Sequence, residues 1–103
     1  MQKQVSYDYQ FMIVRFYSSS SPTFLVNREL ALEIYKIIGK EHTQKGIICQ
    51  NDFDSISEKL SNPNLKNIKL GGVNMDIRLF PLKKMIKKAK LSDDKFITWE
   101  QLR

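Results

Sequence analysis

Apolar residues recur along this chain with two different periods, and the order in which the periods follow one another limits the fold more than any other feature. From Phe11 to Tyr17 the residues are β-branched or aromatic apart from Met12 and Arg15, and nearly apolar on both alternating faces. That is the pattern of a central strand covered on both sides. Four serines and Pro22 then supply a turn, and Thr23 to Val26 return as a partner strand. Here the period changes. Asn27 is placed to cap a helix, Glu29 falls in a first turn where the helix dipole favours an anion, and Leu30, Ile34, Ile37 and Ile38 recur at helical spacing. Gly39 ends that helix as a left-handed cap.

Beyond a polar loop around His42, Gly46 to Cys49 reads as a short strand, and Asn51 or Asp52 caps a helix carrying Phe53, Ile56 and Leu60 on one face. Ser61 to Asn64 stops it. Leu65 to Asp76 contains Gly71 and Gly72 and has no clear period, so a flexible connection is expected near 62–76. Pro81 suits the first turn of the next helix, where its missing N–H costs nothing. In that helix Leu79, Leu82, Met85, Ile86 and Ala89 fall within an arc of about 120°. Ser92 to Lys95 is a turn, and Phe96 to Trp99 has the composition of a last strand. The order ββαβααβ lacks regular βα alternation and so predicts an α+β fold: a small sheet, made of the hairpin plus one or two further strands, packed by about three helices. The expected core is Phe11, Ile13, Phe16, Leu30, Ile34, Ile37, Ile56, Leu60, Leu82, Met85, Ile86 and Trp99. With 103 residues, one domain is expected.

Three blocks read together resemble a family of small bacterial proteins known as domain of unknown function 1840. They are Met12 to Ser19; Ala31 to Gly39 running into Lys45-Gly46-Ile47-Ile48; and Phe80 to Ala89 followed by Ile97-Thr98-Trp99. The match spans residues 12 to about 100 and leaves 1–11 as an N-terminal extension ahead of a single domain over 12–103. What the resemblance implies is a bacterial chain with these boundaries and this order of elements. It transfers no catalytic residue.

The chemistry in the sequence is concentrated in one place. Residues 1–58 hold six Lys and Arg against seven Asp and Glu, whereas 59–103 hold eleven against four, so the net charge of +6 comes from the second half. Lys83, Lys84, Lys87, Lys88 and Lys90 all lie opposite the apolar arc of the Pro81 helix. Such a face is a solvated surface, or it meets nucleic acid or an acidic protein. A membrane would need the apolar stripe free, and a chain this short needs that stripe for its core. With Lys66 and Lys69 the lysines would neutralise phosphates without reading sequence. Aromatic neighbours and a continuous basic groove would favour nucleic acid, and interleaved acids a solvated face. Lysine outnumbers arginine thirteen to four, and arginine is the better group for bidentate recognition.

Elsewhere the residues have structural explanations. Cys49 sits in an apolar run, reads as buried and inert, and with no second cysteine points to a reducing, cytoplasmic setting. The N-terminus has no basic start followed by an apolar stretch, and no run approaches the roughly 20 apolar residues of a membrane span. One histidine and one cysteine do not make a metal site, and no nucleophile, base and oxyanion donor assemble into a catalytic set. Asp52 with Asp54 fits a helix start, Asp93 with Asp94 a turn, and Gly71-Gly72 lacks the spacing of a phosphate loop. Trp99 is read as core. No cofactor is expected. The reading is of a non-enzymatic interaction or regulatory module with an unassigned protein partner, and the alternative is a weak, sequence-tolerant nucleic-acid binder using the lysine helix.

Overall fold

The computed structural model describes residues 12–102. Its elements in chain order are β1 (Ile13–Ser18), β2 (Ser21–Asn27), α1 (Arg28–Ile38), β3 (Lys45–Cys49), α2 (Phe53–Leu60), β4 (Lys69–Leu70), β5 (Val73–Asn74), α3 (Met75–Arg78), α4 (Phe80–Leu91) and β6 (Phe96–Gln101). Short 3-10 helices at Gln50–Asp52 and Pro63–Asn67 lead into α2 and out of it. The four long strands form one antiparallel sheet in the order β2-β1-β6-β3, so the fold is α+β as expected.

The ends of the elements follow local chemistry. Asn27 Oδ1 accepts from the Leu30 N–H at 3.0 Å at the start of α1, and Gly39 closes it with φ +73°. The first hairpin turns at Ser19-Ser20, whose hydroxyls donate to Asp94 in the α4–β6 turn. Asp93 beside it has a positive φ of 57°. A hydrogen bond from Gln50, then the hydrogen bond and charge of Lys95, hold the Asp93 carboxyl below its usual range.

Strand alternation splits the sheet into two unlike faces. Val14, Phe16, Val26, Ile48, Ile97 and Trp99 point to one side and are buried beneath α1 and α4, with α2 packed on both helices. Phe16 lies opposite Trp99 in register, their ring centroids 6.3 Å apart. The other side has no helix over it among the described residues. It carries Arg15, Tyr17, Leu25, Ile47, Phe96 and Glu100, of which Leu25 is 58% exposed and Phe96 51%. Arg15 bonds Glu100 at 2.6 Å and lies 4.5 Å over the Tyr17 ring, and Thr98 is buried between its register neighbours Tyr17 and Ile47.

Several sequence expectations need correction. β1 is central, and among the described residues helices cover one of its faces; Ile13 is half-buried, as is Ile37 at the edge of the α1 stripe, and Phe11 and the 1–11 extension lie outside the described residues. The segment expected to be a connection carries structure instead. Leu65 and Met75 are buried, and Gly71-Gly72, with φ of +62° and +81°, form the two-residue turn of the β4–β5 hairpin. Positive φ at both turn positions suits the right-handed twist of a hairpin, which is why two glycines stand there. Cys49 is exposed, because β3 is an edge strand and Cys49 alternates with the fully buried Ile48.

Candidate functional site

Helix α4 is held by its inner face and by its ends. Leu82, Met85, Ile86 and Ala89 are buried against the sheet and α2, and Leu79 just before the helix is buried with them. Pro81 occupies the first turn, and the Lys83 N–H donates to Leu79 O at 3.0 Å. At the far end the Asp94 N–H donates to Ala89 O at 2.9 Å, which stops the helix. The apolar arc read from sequence is thus the packed side, and the lysines are on the other.

The lysines are arranged around two apolar side chains. Phe80 and Leu91 are three turns apart, so they project within about 20° of one another. They are exposed, at 55% and 80%, along the crest of the lysine face. Lys83, Lys87 and Lys90 fall on the α2 side of that crest, and Lys84 and Lys88 on the β2 side. Lys90 pairs with Asp54 of α2. Among the described residues the other four have no ion pair. Lys84 Nζ lies 5.7 Å over the Phe80 ring.

Two open grooves flank the helix. One, of about 710 Å³, is lined by Phe80, Leu91, the five lysines and Ser57 of α2. The other, of about 430 Å³, runs between Lys84 and Lys88 and the β2 residues Ser21 to Phe24. Phe80 lines both, and among the described residues no acid lines either. Helix stability does not explain this placement. Lys88 and Lys90 suit the negative end of the helix dipole, but Lys83 and Lys84 sit near its positive end. Lys83 with Lys87 and Lys84 with Lys88 are i,i+4 like-charge pairs, each costing roughly 0.2–0.5 kcal/mol. The sequence pattern assigned Phe80 and Leu91 to neither the apolar arc nor the lysine face, although their eleven-residue spacing puts them on one side of the helix.

The remaining candidates are not brought together. Lys66 and Lys69 are exposed and line neither groove. His42 stacks on Tyr35, centroids 5.4 Å apart, and Tyr35 packs on Trp99 beneath the helices, whereas Cys49 faces the uncovered side of the sheet; the two share no site. Asp52 makes no side-chain cap to α2, and Asp54 serves Lys90 instead. Trp99 is core, 3% exposed. Among the described residues no three His, Cys, Asp or Glu side chains gather as metal ligands, and no helix is long and apolar enough to cross a membrane.

The chain matches no protein-family model, no curated protein and no solved structure. The resemblance to domain of unknown function 1840 therefore rests on the order and spacing of its three blocks.

Proposed function

We propose that this protein is a non-enzymatic interaction module whose contact surface is the outward face of α4, and that it holds nucleic acid there without reading sequence. The observation that carries the reading is a set of four lysines without ion partners, Lys83, Lys84, Lys87 and Lys88, lining two grooves with no acid among the described residues. Mutual repulsion along the helix is relieved when phosphates neutralise these charges and their counterions are released. An exposed aromatic beside them adds the feature that a merely solvated face does not need. Cytoplasmic residence belongs to the same reading, since an exposed, unpaired Cys49 suits a reducing compartment. So does kinship with the bacterial domain of unknown function 1840.

The test is binding of short duplex DNA and single-stranded RNA at about 50 mM salt, where the phosphate term is strong. Replacing Lys83, Lys84, Lys87 and Lys88 together by Gln weakens binding to every sequence alike and lowers the slope of log K against log salt by roughly one for each lysine that touches phosphate. Thermal stability changes little, because the four are surface residues and Gln has similar helix propensity. Failure of both nucleic acids to bind the unaltered protein overturns the reading.

A further inference from the structure

Resting on that reading, we infer that the α4 face takes a single strand rather than a duplex, with an unpaired base stacked on Phe80 and the neighbouring phosphates held by the lysines on either side of the helix.

Two features point this way. The first is that α4 does not stand free. Ser57 of α2 walls one groove and Ser21 to Phe24 of β2 the other. The duplex major groove is about 12 Å wide and takes an α-helix with little room to spare, whereas α4 has α2 and β2 beside it. A single strand is narrow and flexible enough to follow the grooves themselves.

The second is the placement of Phe80. Isolated apolar side chains on a surface are ordinary, but this ring lies where the two basic grooves meet and lines both. A duplex keeps its base faces stacked inside, and bringing one out costs a few kcal/mol. A single strand offers those faces freely. Stacking on an aromatic side chain tolerates any base, in keeping with lysines that read none. Lys84, already over the ring, is placed to meet the phosphate of the stacked nucleotide.

Other partners fit less well. A protein interface has an apolar centre depleted in charge, whereas Phe80 and Leu91 are about 16 Å apart along the helix with lysines between them. Among the described residues α4 itself offers a membrane two exposed large apolar side chains, Phe80 and Leu91.

The experiment measures anisotropy of labelled 15-nucleotide oligo-dT and oligo-rU, and of a 15-base-pair duplex, at about 50 mM salt, with vesicles of phosphatidylserine as a further arm. Expected are single-strand binding at least about tenfold tighter than duplex, a loss of about five- to a hundredfold in Phe80→Ala and Phe80→Leu, and near-full binding in Phe80→Tyr, which keeps the ring. The salt slope stays unchanged in all three, because a neutral ring releases no counterion. Phe80→Tyr guards against misfolding, and thermal melts verify all variants. Duplex binding equal to single-strand binding, with the Phe80 variants silent, overturns this inference and leaves the lysine face a nucleic-acid site. No binding to either nucleic acid overturns both, as does preference for vesicles with dependence on Phe80.

Discussion

At the scale of single residues, Trp99 organises one end of the core. Its ring lies 5.6 Å from that of Tyr35 and 6.3 Å from that of Phe16, and it covers Gly46, its register partner on β3. A Cβ at Gly46 would fall within the indole. Alanine in a strand normally gains about 0.5–1 kcal/mol over glycine, but forcing the ring off its two neighbours costs about 1–3 kcal/mol, so the clash wins. Gly46→Ala is expected to lower stability in urea unfolding by about 1–2 kcal/mol, and an unchanged midpoint would show that the ring lies elsewhere. Tyr35 gives a second prediction. Burial pushes its hydroxyl up to about 12 from 10.0, so the folded state keeps its proton at pH values where the unfolded chain loses it. A raised value means that the contribution to stability is whole below pH 10 and is lost as pH rises through about 12. Tyr35→Phe should therefore lose less stability than the parent protein across that alkaline window, measured by thermal melts at fixed ionic strength.

Among the elements, the segment between α2 and α4 separates what sequence patterns reveal from what they hide. Strands of two residues and a helix of four are too short for any period to show. What marked them was the Gly71-Gly72 pair, a hairpin signal as well as a breaker. Once folded, the segment is tied down by Met75 N–H to Ile68 O at 2.8 Å, Leu79 N–H to Met75 O at 2.9 Å and Arg78 to Leu70 O at 2.8 Å. Hydrogen exchange is the check. The amides of Met75 and Leu79 should exchange at least about tenfold more slowly than those of Gly71 and Gly72 in the exposed turn. Equal rates would mean that the hairpin opens freely. The long helices were legible for the converse reason: α1 and α4 each show a repeated apolar stripe, bounded in α1 by Asn27 and Gly39 and opened in α4 by Pro81.

For the whole molecule, the described chain provides helices for one face of the sheet, and that face holds the core. Ile34 is fully buried in it, and Ile34→Ala is expected to cost about 2–5 kcal/mol in chemical unfolding. A loss under about 0.5 kcal/mol would contradict the packing. Among the described residues the other face is dressed by Arg15, Tyr17, Glu100 and their neighbours, so a strand apolar on both sides by composition has helices over one of them. By itself the sequence determined the α+β class, the first hairpin, the caps of α1, the buried arc of α4 and the lysines opposite it, because periods and capping residues act within a few positions of the chain. Tertiary structure alone decided that Cys49 is exposed, that His42 and Cys49 are apart, that Asp54 takes Lys90, and that grooves flank α4 with Phe80 in both. Each of these depends on which distant segments become neighbours, and strand order and helix packing set that through contacts no local pattern encodes.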